Sequence, residues 1–200
     1  RDTCTASSTC TAATVRIALD IIRQTIVDNV SKIMETTVRK DGIEKRLIKG
    51  APEKVLPLCS MSQGRMESER AVIEREQKRA RRVLCFCHSQ GDKIIYDGYV
   101  SLFDPIRKEV FKAVSICKKA GIKIKILTGD NRLTAYAIAK ELGICSEQNQ
   151  VIDGYEIERA DEKTLRKILE RVCVISRSTP LVKMNVVESL KKSGEVVEKY

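Results

Sequence analysis

Ile122-Lys123-Ile124-Lys125-Ile126-Leu127-Thr128-Gly129-Asp130-Asn131 decides how the second half of this 200-residue chain folds. Its apolar run reads as a short strand, and Thr134 to Leu142 behind it reads as a helix closed by Gly143. Ahead of it, Glu109 to Ala120 is an amphipathic helix closed by Gly121. Beyond it, Val172 to Ile175 and Leu181 to Lys192 repeat the pattern of apolar run and helix. Strands alternating with helices predict βαβ units in a parallel sheet, and so an α/β fold. At the carboxyl edge of such a sheet, Thr128 presents a hydroxyl, the residues after it present backbone N–H groups, and the next helix presents its N-terminus. That combination suits a phosphate. A second reading stays open at this point, in which Asp130 caps the helix that begins near Leu133.

Ser176-Arg177-Ser178-Thr179-Pro180-Leu181-Val182-Lys183 has the same character. Pro180 opens a helix, Lys183 lies one turn inside it, and Arg177 sits at the preceding strand end. Either cation alone fits a solvated surface charge. Their order after a Thr-Gly-Asp strand favours a phosphoryl group held at the sheet edge.

The first half reads differently. Val15 to Val30 carries Ile17, Ile21, Ile22 and Ile26 at helical spacing, which predicts a short amphipathic helix. Thr36 to Lys40 and Glu44 to Lys49 are strands joined by an Asp41-Gly42 turn. Gly50-Ala51-Pro52-Glu53 begins a new helix with Val55 and Leu56, and the densely charged Met66 to Arg82 reads as a solvated helix. Val83 to Phe86 and Ile94 to Phe103 are strands, and the second runs into Asp104-Pro105-Ile106-Arg107, where the character of the chain changes.

Lys plus Arg number 37 against 27 Asp plus Glu, a net charge of +10 that suits a polyanionic partner. With three Phe, five Tyr and no Trp, stacking platforms for single-stranded nucleic acid are scarce, so nucleic acid is not the expected partner. None of the eight cysteines forms a CxxC pair, and no residue set reads as a resident metal site. Cys85 and Cys87 share one face of a strand as small buried hydrophobes, and His88 reads as a surface residue at that strand's end. No apolar run approaches the ~20 residues that span a bilayer. Thr3 to Thr14 lacks the basic start and apolar core of a signal peptide. The chain is therefore expected to be soluble, without membrane insertion of its own.

Several of these segments, in this order, resemble the P-type ATPases. Lys49-Gly50-Ala51-Pro52-Glu53 is similar to the family's nucleotide-pocket motif and Asp104-Pro105-Ile106-Arg107 to the hinge between its cytoplasmic domains. Leu127-Thr128-Gly129-Asp130-Asn131, with Thr134-Ala135, Ala137-Ile138-Ala139 and Leu142-Gly143-Ile144, resembles the phosphorylation-site core. Ile175-Ser176-Arg177 through Lys183, then Val187 to Leu190 and Gly194 to Val197, continue the likeness. It covers roughly Ser31 to Val197, most strongly after Tyr99, and leaves the first thirty residues unplaced.

The resemblance implies a partial Rossmann-like, haloacid-dehalogenase-like parallel sheet beside a separate α+β nucleotide-binding portion. Residues 1–103 would belong to the nucleotide-binding domain, and residues 104–200 would form the second half of the phosphorylation domain. ATP, with Mg2+ carried on it, would be the cofactor. Lys32 and Met34 in Ser31-Lys32-Ile33-Met34 would flank adenine, and Lys49, with Gly50 beside it, would line the pocket. Arg82 would contact the phosphates and Leu84 would pack near the base. Thr128, Gly129 and Asp130 would hold the transferring phosphoryl group, with Arg177 contributing at the domain junction and Lys183 offsetting its charge. Asp104, Pro105 and Arg107 would form the hinge. The parent would be a cation pump, with calcium the favoured ion, and this region would lie at the cytoplasmic face of a membrane. Its partners would be ATP and the pump's remaining domains and membrane helices.

Three departures accompany the likeness. The family's Asp-Lys-Thr-Gly-Thr, which carries the phosphorylated aspartate, does not occur, and neither does Thr-Gly-Asp-Gly-x-Asn-Asp. Val27 stands where the family stacks an aromatic on adenine. Asp104 follows an apolar run but is not read as the nucleophile, because Pro105-Ile106-Arg107 lacks the second acid and the threonine of that motif. Two rival readings remain: a non-catalytic nucleotide-binding or interaction module from a split or decayed pump gene, and a haloacid-dehalogenase-like phosphatase.

Overall fold

The computed structural model describes residues 20–24, 32–40 and 42–198. They divide into two compact units, one containing residues up to Glu76 and Arg81–Phe103, the other containing Gln77–Ala80 and the residues from Asp104 onward.

The first unit is a five-stranded antiparallel sheet in sequential order: β1 (Asp20–Gln24), β2 (Ile33–Lys40), β3 (Ile43–Gly50), β4 (Arg82–Gln90) and β5 (Lys93–Leu102). Between β3 and β4 lie α1 (Pro52–Val55), a 3-10 turn (Leu56–Leu58) and α2 (Gln63–Lys78). The expected helix over Val15 to Val30 is corrected here, because Asp20–Gln24 is a strand paired with β2 from Asp20↔Arg39 to Gln24↔Thr36. β-branched Ile21 and Ile22 favour extended backbone, and a neighbouring strand supplies the ladder that a helical period in the sequence could not reveal. The rest of that stretch, 15–19 and 25–30, lies outside the described residues, as do Ser31 and Asp41. Gly42, at φ +76°, takes the left-handed position of the β2–β3 hairpin.

Period-2 alternation sorts this sheet. Ile48, Cys85, Cys87, Val83 and Tyr96 face inward and pack with Val55, Leu56 and Cys59. Ile73 joins the same core at 3% exposure, which anchors the otherwise charged helix α2. His88 is not at a strand end; it lies within β4 and its Nδ1 meets Asp97 Oδ1 at 2.7 Å.

Burial pushes the Cys85 and Cys87 thiols up to about 12 from an ordinary 9.0. Both stay neutral in the fold between those limits, whereas in the unfolded chain they ionise above 9. The unfolded state thus gains stability as pH rises from about 9 to 12, and native stability falls. Urea midpoints measured at pH 8 and pH 10.5 should drop accordingly, and Cys85→Ala/Cys87→Ala should flatten the dependence.

In the second unit, α3 (Lys108–Lys119), β6 (Ile126–Leu127), α4 (Arg132–Glu141), β7 (Val151–Asp153), α5 (Gly154–Ile157), α6 (Glu162–Arg171), β8 (Val174–Ser176) and α7 (Pro180–Lys192) follow one another. The three strands form a parallel sheet in the order β6-β8-β7. Central β8 is covered on both faces. Val174 packs with Ala135, Ala139, Cys145 and Val151, and Ile175 packs with Leu165, Leu169, Val182 and Val186. Helices on both sides of a parallel sheet, together with a separate antiparallel sheet in the chain, give the α/β class that the alternating pattern predicts.

The strand predicted over Ile122 to Leu127 shrinks to Ile126–Leu127. Ile122 is 56% exposed, and the Lys125 ammonium donates to the carbonyls of Leu169 and Val172, the latter at 2.7 Å. It thereby serves the carbonyl-rich end of α6, and burial lowers its pKa. β7 and α6 have no counterpart in the sequence reading. β7 is only three residues long, and α6 shows its apolar face only through Leu165, Ile168 and Leu169 among charges.

Candidate functional site

The carboxyl edge of the parallel sheet gathers Thr128, Gly129, Asp130 and Arg177. The β6–β8 ladder continues past the strands through Thr128 N to Ile175 O (3.0 Å), Arg177 N to Asp130 O (2.9 Å) and Ser178 N to Thr128 O (2.8 Å). Thr128 Oγ1 donates to Asp130 Oδ2 at 2.9 Å and accepts from Asp130 N at 3.1 Å, so hydroxyl and carboxylate orient one another. Arg177 holds φ +51°, a left-handed conformation uncommon for a residue with a side chain. Such backbone strain is characteristic of sites where the surroundings dictate geometry.

The alternative role for Asp130 is corrected by Asn131. Its Oδ1 accepts from Thr134 N at 3.0 Å, capping α4, while its Nδ2 donates to the fully buried Thr134 Oγ1 at 2.9 Å. Asp161 makes the equivalent pair of contacts to Thr164 at the start of α6, so the cap follows from position, one residue before the helix, and not from the choice of amide over carboxylate. Lys183 is exposed in the first turn of α7, whose N-cap Thr179 accepts from Val182 N at 3.2 Å.

Three residues that sequence reasoning missed complete this edge. Buried Ser176 donates to Asp153 Oδ1 at 2.5 Å and to Ile152 O at 3.1 Å, tying β8 to β7. A Cβ on Gly154 would lie 2.9 Å from Arg177 O and 3.1 Å from Ser178 Cα, so the loop after β8 requires glycine there. The signal was Asp153-Gly154 ending the apolar pair Val151-Ile152. Among the described residues no three His, Cys, Asp or Glu converge as a metal site. The donor set at this edge fits an ion brought in on phosphate oxygens and completed by the Asp130 carboxylate, which is how magnesium is often held.

In the first unit, the register pairs Met34 with Lys49 and Lys49 with Phe86 across β2, β3 and β4. Leu84 and Arg82 lie two and four residues back along β4 and so share that face. Their sequence neighbours Ile48, Val83 and Cys85 point into the core, so Met34, Lys49, Leu84 and Arg82 stand together on the outward face. Lys49 and Arg82 are exposed; Met34 and Leu84 are half-buried. Gly50 has the inward parity and acts through backbone. A Cβ there would overlap the Lys32 carbonyl oxygen and lie 3.1 Å from Ile33 Cα. Lys32, at φ +52°, accepts from Ala51 N at 3.1 Å through that carbonyl. Val27 lies outside the described residues.

Asp104, Pro105 and Arg107 occupy the irregular segment between β5 and α3, all exposed, and Arg107 O accepts from Val110 N at 3.0 Å at the start of α3. Asp104 follows β5, the last strand of the antiparallel sheet. Just before that segment, Glu76 Oε2 accepts from Ser101 Oγ and pairs with Arg81 Nη1, both at 2.7 Å, while the Arg81 guanidinium stands 6.0 Å from the Phe103 ring centroid.

Among the described residues no helix is long and apolar enough to cross a membrane. The family model for haloacid dehalogenase-like hydrolases matches residues 9–179. The chain is 31% identical over 191 residues to "Calcium-transporting ATPase 1" of Bacillus cereus, covering 85% of this chain and 22% of that one. It is 36% identical over 185 residues to "Probable cation-transporting P-type ATPase" of Mycoplasma genitalium (85% and 20%), and 34% identical over 170 residues to "Calcium-transporting ATPase type 2C member 1" of Homo sapiens (80% and 18%). It thus spans about a fifth of the length of the curated relatives it matches. Parallel sheet, Thr-Gly-Asp edge and these matches agree: the chain belongs to the haloacid dehalogenase-like hydrolases, among relatives that are calcium- and cation-transporting P-type ATPases.

Proposed function

We propose that this chain supplies the ATP-binding surface and part of the phosphoryl-transfer site of an ATP-driven cation pump, with calcium as the ion. The observation that carries the reading is the convergence of Met34, Lys49, Leu84 and Arg82 on one outward sheet face. Residues 1–103 are its nucleotide-binding portion and 104–200 its phosphorylation-domain portion, with Asp104, Pro105 and Arg107 as the hinge. Met34 and Leu84 offer apolar surface to the base, Lys32 and Lys49 border it, and Arg82 receives the phosphates. Thr128, Gly129, Asp130 and Arg177 receive the phosphoryl group, and Lys183 offsets charge on its oxygens.

Phosphoryl transfer asks the protein mainly for position and electrostatics. Thr128 Oγ1, held by the Asp130 N–H, can turn its proton from the Asp130 carboxylate to a phosphoryl oxygen. That leaves the carboxylate available to a magnesium ion arriving on ATP. The 200 residues contain no Asp-Lys-Thr-Gly-Thr, so the acceptor aspartate and the membrane helices are assigned to other parts of the pump, at whose cytoplasmic membrane face this region works.

Calorimetry of ATP binding, with and without magnesium, tests the reading. Saturable binding that Lys49→Ala weakens about tenfold is expected, the effect of losing one charge-assisted contact. Unchanged affinity in that variant, or no binding at millimolar ATP, would contradict it and favour a module that does not use nucleotide.

A further inference from the structure

Phe86 stands in the same cross-strand row as Met34 and Lys49, and on its other side it faces Gly98 of β5. No other aromatic residue described in the first unit shares that position. Tyr96 is buried in the core, Tyr99 packs against the core, and Phe103 lies beyond β5 near Arg81. Phe86 is half-buried and belongs to no core cluster. Two features leave space beside its ring. A Cβ built on Gly98 meets nothing within 4 Å, and the β4–β5 register shifts between Phe86 and Cys87, a bulge of the kind that re-aims side chains.

The charges flanking this ring identify what fits it. Lys49 is the next residue in the row, and Arg82 stands on the same face four residues along β4. Four strand rises place Arg82 about 13 Å from Phe86, roughly the reach from the base to the outer phosphates of a nucleoside triphosphate. A planar heterocycle against Phe86, with its phosphates toward Arg82, satisfies both ends. We propose that Phe86 is the stacking surface for the base of the bound nucleotide. This rests on the nucleotide reading above and adds the residue that recognises the base.

The test compares ATP with inorganic tripolyphosphate, which has the charge but no base, across wild type, Phe86→Ala, Phe86→Leu and Phe86→Tyr. Phe86→Ala should weaken ATP about tenfold and leave tripolyphosphate within about twofold, because stacking acts on the base alone. Phe86→Leu should stay weak, and Phe86→Tyr should return to wild-type affinity. If Phe86→Ala fails to fold, judged by its thermal melt, the Leu and Tyr variants decide the matter. ATP affinity unchanged in Ala and Leu, while Lys49→Ala weakens it, would overturn the Phe86 assignment and leave the site standing. Equal losses for ATP and tripolyphosphate would likewise reject stacking. Absence of ATP binding by wild type would remove the nucleotide reading, and this assignment with it.

Discussion

Gly50→Ala is expected to destabilise the first unit by about 3 kcal/mol, the upper range for forcing extra volume into a packed site. The added methyl overlaps the Lys32 carbonyl oxygen and presses on Ile33 Cα at 3.1 Å. Both are backbone atoms, so no side chain can swing aside to relieve the clash. Relief requires the start of β2 to move off β3, which breaks the bond from Ala51 N to Lys32 O and displaces Met34 from Lys49. Stability and nucleotide affinity should fall together. Gly64→Ala in α2 is the control, since its Cβ meets nothing within 4 Å and alanine favours helix. Urea denaturation of both variants measures the contrast; equal stability would show that the strands do not approach so closely.

Ile175→Ala should cost about 3–4 kcal/mol in the second unit. Ile175 is 1% exposed at the middle of central β8, enclosed by Leu165, Leu169, Val182 and Val186, so truncation leaves a cavity that two helices and a strand must collapse to fill. The loss also reaches the site, because Ile175 O accepts from Thr128 N and the next residues hold Asp130 and Thr128 through Arg177 N and Ser178 N. Amide exchange at Thr128, Arg177 and Ser178 should accelerate with the drop in urea midpoint. Ile122→Ala, at an exposed position, should change stability by no more than about 0.5 kcal/mol.

Much of this architecture can be read from local patterns. The Gly-closed helices after Glu109 and Thr134 and the strand ending in Thr-Gly-Asp announce a parallel sheet, because helical period and punctuation are local properties. What escaped depends on partners far along the chain. Ile21 and Ile22 satisfy a helical spacing equally well, and only pairing with β2 makes them a strand. Likewise, the link from Ser176 to Asp153 joins strands 23 residues apart. The candidate nucleotide face was legible residue by residue through Lys49, Arg82 and Leu84. Phe86 was not, since its place beside Lys49 follows from strand register and from no local motif.

The most direct test of the nucleotide surface is a methyl-resolved NMR titration with ATP. The Met34 and Leu84 methyl signals, on the outward face, should shift saturably, while those of Ile48 and Leu56 in the core behind them stay in place. Saturation of the chain with ATP that leaves Met34 and Leu84 unmoved would contradict the account.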